Sequence, residues 1–121
     1  ILPAISIGCF SAAVLNLNNM RDFENDKLSG KLTMVVKIGI EKSKIYHIWI
    51  LILGIMSSLV FMFEKPFKLA NIIFILAFFP ILMHIRRVVK IKNFIGFDPE
   101  LKKVALSTFL FSILFFLALS L

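Results

Sequence analysis

An all-α, polytopic membrane helix bundle is the fold class this sequence predicts, and three observations predict it. The 121 residues are 60% hydrophobic, with a mean hydropathy of +0.95, against about 45–50% apolar residues in soluble domains. The excess falls in four blocks, Ile1–Met20, Ile45–Phe63, Leu69–Ile85 and Val104–Leu121. About 20 apolar residues, rising about 1.5 Å each, cross a hydrocarbon core of about 30 Å. A soluble domain of this size lacks the polar surface to cover four helices that are apolar all round.

The expected organisation is a single transmembrane unit over residues 1–121. It has about four transmembrane helices, spanning about 1–20, 45–63, 69–89 and 104–121, with loops 21–44 and 90–103 between them. The chain starts inside an apolar block, without Met, and ends on Leu121. No positively charged stretch precedes the first block, as a signal peptide requires. The expectation is a C-terminal piece of a longer membrane protein, whose missing N-terminal half lies upstream.

The formal charge is +7 and the isoelectric point near 9.9. Six basic residues lie between the first two blocks (Arg21, Lys27, Lys31, Lys37, Lys42 and Lys44). Six lie at or beyond the end of the third (Arg86, Arg87, Lys90, Lys92, Lys102 and Lys103). Both loops then face one side, which the positive-inside rule assigns to the cytoplasm. Cations that flank spans, with no basic stripe, argue against nucleic acid as a partner. The lone Cys9 excludes a disulfide framework and a cysteine metal site.

The elements follow in order. The first span carries Pro3, Ser6, Gly8, Ser11, Ala12 and Ala13, small residues that let membrane helices approach closely. It turns polar at Asn16–Asn19, so those side chains should face protein or a wet cavity. The helix should run on past Asp22 and Asp26 to Ser29-Gly30, where Gly30 ends it. Thr33–Ile38 is a short apolar or β-branched piece broken by Gly39. Glu41–Lys44 opens the second span, with Tyr46, His47 and Trp49 in an interfacial aromatic belt. Glu64–Lys68 makes a tight helical hairpin, and Pro80 lies within the third span, where a kink is tolerated if neighbouring groups satisfy the freed backbone. His84 is expected at the interface. Asp98 followed by Pro99 reads as an N-cap with proline at the first helical position.

Chemistry concentrates in Asn18-Asn19-x-Arg21-Asp22-x-x-x-Asp26-x-x-x-Gly30-Lys31. Carboxylates four residues apart lie on one helix face and repel each other, unless a divalent cation sits between them. Magnesium suits carboxylate and water oxygens and bridges to substrate phosphates. Arg21 and Lys31 add positive charge that suits a diphosphate. Asn18 and Asn19 supply polar support, whereas Glu24 points elsewhere and is read as solvated. A charge run between spans is commonly only a solvated loop. Asparagines placed inside a span weigh against that here.

The stretch Asn18–Thr33 resembles the second aspartate-rich motif of the UbiA superfamily of intramembrane prenyltransferases. The paired asparagines, the Arg-Asp and the Gly-Lys-x-Thr ending look like the 1,4-dihydroxy-2-naphthoate polyprenyltransferases of menaquinone biosynthesis, and Asp98–Lys103 lends support. The resemblance implies a nine-helix bundle in a bacterial inner membrane, of which these are the last four helices, with the active-site loops cytoplasmic. It implies Asp22 and Asp26 as catalytic ligands of Mg2+, with polyprenyl diphosphate and an aromatic acceptor as substrates. The expected reaction is prenyl transfer to dihydroxynaphthoate with decarboxylation, giving demethylmenaquinone. Other acceptors of the superfamily are 4-hydroxybenzoate, haem and glycerol phosphate. A non-enzymatic transporter or scaffold segment is the competing class. CDP-alcohol phosphotransferases are disfavoured because their Asp-Gly-x-x-Ala-Arg opening has no match. The family's first aspartate-rich motif is also unmatched, so the chain alone is expected to be inactive.

Overall fold

The computed structural model describes residues 1–64 and 75–120. Its helices are α1 (Leu2–Arg21), α2 (Phe23–Leu28), α3 (Met34–Ile38), α4 (Ile40–Phe63), α5 (Phe78–Val88) and α6 (Phe97–Ser120), with a 3-10 turn over Phe94–Gly96. There is no strand among the described residues. The hairpin expected at Glu64–Lys68 and the start of the third expected span lie largely outside them. Among the described residues, Ile40–Phe63 is long and apolar enough to cross a membrane by length and composition.

The long helices pack through stripes with three- and four-residue steps. On α1 the stripe is Ser6, Phe10, Ala13, Leu17 and Met20. On α4 it is Ser43, His47, Leu51, Gly54 and Ser58. On α6 it is Phe97, Glu100, Val104, Ser107, Phe111 and Phe115. Such spacing keeps one face of a helix turned to its neighbour. The small residues let α1 and α4 close up. Ser6 Oγ donates to the Gly54 carbonyl at 2.8 Å, and the Phe10 ring fills the space where Gly54 has no side chain.

Two apolar clusters result. One gathers Phe10, Ala13, Leu51, Phe78, Ile81, Phe111 and Phe115, with the Phe10 and Phe111 rings edge to face at 4.8 Å. The other gathers Leu17, Met20, Val35, Val88, Phe97 and Val104. It sits at the end of the bundle that carries α2, α3 and the loop between α5 and α6.

The structure differs from the sequence reading in four places. The helix from α1 is interrupted at Asp22, although Asp22 N–H still donates to the Asn18 carbonyl and Asp26 N–H to that of Asp22. The helical hydrogen-bond step therefore survives the interruption. A turn at Ala77 puts Pro80 in the first turn of α5, where a missing N–H leaves no partner unmet. Asp98 is not the residue that starts the last helix. Asn93 caps the preceding 3-10 turn through Gly96 N–H, and α6 is under way at Phe97. His47 and His84, expected at the interface, are buried inside the protein, at 0% and 1% exposed. Trp49, two residues from His47 and so on the other flank of α4, is 66% exposed.

Candidate active site

The candidate site forms where α1 passes into α2. Arg21 organises its first half. Its guanidinium donates to Asp22 from Nε (to Oδ1, 2.8 Å) and Nη2 (to Oδ2, 3.0 Å). Nη2 also reaches Asn18 Oδ1 at 2.8 Å, and Nη1 reaches Asp98 Oδ1 at 3.3 Å. The planar fork of arginine suits this bidentate work, which a point-charge ammonium could not do. The pairing holds the Asp22 carboxyl below its usual range: the Arg21 hydrogen bonds and charge outweigh partial desolvation, and Lys31 adds a smaller pull. Lys102 and Arg21 hold the Asp98 carboxyl low in the same way.

Asp26 and Lys31 make the second half, and the local fold explains their meeting. Helix α2 ends in a Schellman turn. Gly30 takes φ +74°; its N–H donates to the Lys27 carbonyl, and Lys31 N–H donates to that of Asp26. This doubles the chain back, so Lys31 Nζ lies 3.1 and 3.2 Å from the two Asp26 carboxylate oxygens. Asp26 is 6% exposed. Thr33 then caps α3 by accepting from Val36 N–H. The Gly-Lys-x-Thr spacing is thus a turn, an ammonium and a cap in sequence.

The structure therefore brings Asn18, Arg21 and Asp22 together, and Asp26 with Lys31. The charge of Lys31, felt at Asp22, links the two halves. Asn19 is half-buried, and its side chain has no hydrogen bond among the described residues. Glu24 is exposed. No cluster of three or more His, Cys, Asp or Glu side chains able to hold a metal forms among the described residues. Asp22 and Asp26 stand on successive turns, and each carboxylate is paired with a cation of its own, Arg21 and Lys31.

The model of the UbiA prenyltransferase family matches residues 1–95. The chain belongs to that family. Among curated proteins, the UbiA chain is 34% identical over 119 residues to a 1,4-dihydroxy-2-naphthoate octaprenyltransferase of Haemophilus influenzae. It is 31% identical over 119 residues to the protein of the same name in Escherichia coli strain K12. Each match covers 98% of this chain and 39% of the relative, so the chain spans about two-fifths of the length of the curated relatives it matches. No solved structure matches.

Four buried polar residues stand outside the site residues chosen from the sequence, Asn16 among those expected to face protein. Asn16 is 3% exposed and donates from Nδ2 to the Ser43 carbonyl at 3.1 Å, tying α1 to the start of α4. His47, His84 and Glu100 are buried together. The signal was present for Glu100: it falls on the same three- and four-residue stripe as Phe97 and Val104.

Proposed function

We propose that this chain is the part of a membrane prenyltransferase that carries one aspartate-rich half of the catalytic site. The whole enzyme transfers a polyprenyl group from its diphosphate to 1,4-dihydroxy-2-naphthoate, with loss of the ring carboxylate as carbon dioxide. The observation that carries the reading is the pair Asp22 and Asp26, on successive turns, each clasped by a cation that can also bind phosphate. Similarity to two naphthoate octaprenyltransferases supports the acceptor.

In this reading Arg21 and Lys31 bind and orient the diphosphate, donating charge-assisted hydrogen bonds to its oxygens. Asn18 keeps the Arg21 fork aimed. Magnesium held by Asp22 and Asp26 supplies charge neutralisation to the leaving group. The bond between the allylic carbon and the diphosphate oxygen breaks, and its electron pair leaves with the diphosphate. The ring carbon bearing the carboxylate attacks the allylic cation, and the electrons of the ring–carboxylate bond restore aromaticity as carbon dioxide departs. The site loops lie on the cytoplasmic face of a bacterial inner membrane. The upstream half of the protein supplies the rest of the site.

The test is prenyl transfer by the full-length protein in vesicles, with and without magnesium. Asp22→Asn and Asp26→Asn should each lower the rate at least about a hundredfold, the scale of losing an electrostatic group from a reacting centre. Glu24→Gln should stay near the parent. Retention of magnesium-dependent turnover by both aspartate variants would sink the reading.

A further inference from the structure

Away from the aspartates, three ionisable side chains from three helices form a buried file. His47 Nε2 on α4 lies 2.8 Å from His84 Nε2 on α5, and His84 Nδ1 lies 2.7 Å from Glu100 Oε2 on α6. Their exposures are 0%, 1% and 4%. The far oxygen of Glu100, Oε1, accepts from Lys103 Nζ at 2.6 Å and lies 3.8 Å from Arg87 Nη1.

The direction of the file follows from its end. A carboxylate facing two cations accepts, so His84 Nδ1–H donates to Glu100. That leaves His84 Nε2 bare to accept from His47 Nε2–H. His47 Nδ1 is then a bare acceptor, and it has no partner among the described residues. With both imidazoles neutral, the file has one proton per link. Ionisable groups this fully buried are costly unless they are paired, and these pair with one another across three helices.

Its position says which function. Glu100 stands two residues after Asp98 in the first turn of α6, and side chains two apart leave a helix on opposite flanks. Asp98 reaches Arg21 of α1, the residue that clasps Asp22. The first turn of α6 is therefore fixed on one flank to α1 and on the other, through Glu100 and His84, to α5 and α4.

We propose that the His47–His84–Glu100 file is a positioning device for the prenyl-transfer site, setting where Asp98 stands and through it how Arg21 holds Asp22. This rests on the magnesium and diphosphate reading above. None of the three residues touches substrate. They act through the helix turn they anchor, so freeing that turn lets Arg21 swing toward Asp22 alone and weakens the grip on metal and diphosphate.

The test is a double-mutant cycle in the full-length protein, in vesicles, reading prenyl transfer against magnesium and polyprenyl diphosphate concentration. Glu100→Gln keeps an acceptor for His84 but removes the charge. Asp98→Asn removes the ion pair with Arg21. Each should raise the half-saturating magnesium and the KM for diphosphate about five- to tenfold, and the double variant should be no worse than about twofold beyond the poorer single, as for residues on one path. His47→Phe, which cuts the file without touching Glu100, should move both in the same direction by less. It serves where Glu100→Gln fails to fold in detergent. Loss of kcat with unchanged half-saturation, or effects that multiply in the double variant, would overturn the inference alone. A parent enzyme indifferent to divalent cations would overturn the function and the inference together.

Discussion

Replacing Gly54 with alanine sets two effects against each other, and the structure decides the sign. In a helix interior the change from glycine to alanine stabilises by about 0.5–1 kcal/mol through backbone entropy alone. A Cβ at Gly54, however, would stand 2.7 Å from Phe10 Cε1, 3.1 Å from Cδ1 and 3.2 Å from Cys9 Cβ. The ring must retreat by roughly 0.7 Å, the gap between 2.7 Å and the 3.4 Å at which ordinary contact begins. It has little room to do so, because Phe10 is 0% exposed and meets Phe111 edge to face. Overpacking of this kind costs about 1–3 kcal/mol. The steric cost wins, and Gly54→Ala should destabilise by about 1 kcal/mol, with Gly54→Val worse. Phe10→Leu should recover part of the Gly54→Ala loss. The assay is the apparent unfolding midpoint in detergent at one fixed scan rate, because such unfolding is commonly irreversible. A Gly54→Ala protein that unfolds above the parent would show that α1 and α4 do not meet as described.

Three further outcomes are expected. Gly39 joins α3 to α4 at φ +82°, ψ +164°, a region essentially confined to glycine, so Gly39→Ala should cost about 1–3 kcal/mol in the same unfolding assay. Arg21 depresses the Asp22 carboxyl, so their pairing contributes stability above the unfolded value of about 3.9 and loses it as pH falls through the lower folded value. Unfolding midpoints of Arg21→Gln should therefore fall less than the parent's between pH 5 and 2, at about those limits, and the acid limb of its activity should move to higher pH. Lys44 Nζ donates to the Ile91 carbonyl at 2.8 Å and to Glu41 at 2.8 Å. Lys44→Met should cost about 1–2 kcal/mol and speed amide exchange over residues 90–93.

What the sequence shows plainly is what the membrane enforces. A backbone that must satisfy its own hydrogen bonds in lipid becomes helix, so the apolar blocks read directly as an α-helical membrane protein. Glycine was legible for a related reason. Gly30 and Gly39 both take positive φ, and both were read as breaks. The aspartate spacing was legible because four residues is one helical step, and that step persists through Asp22. Partners far apart in sequence were not legible. His47 sits between Tyr46 and Trp49, an aromatic run that reads as an interface, and only the face of α4 it occupies turns it inward. Asp98 next to Pro99 has the composition of a cap, yet Asn93 starts the turn earlier and frees Asp98 to meet Arg21, 77 residues away. Composition describes a residue's tastes; packing against a remote helix chooses among them.

The ion pair between Arg21 and Asp98 also orders events during synthesis. Residues 21 and 98 are 77 positions apart, so they meet only after the intervening helices have been made. Until α6 arrives, the guanidinium has Asp22 and Asn18 but lacks its third partner. That third contact therefore waits for α6. A chain truncated before α6 would keep Asp22 and Asp26 with their own cations and lack only the Asp98 contact to Arg21.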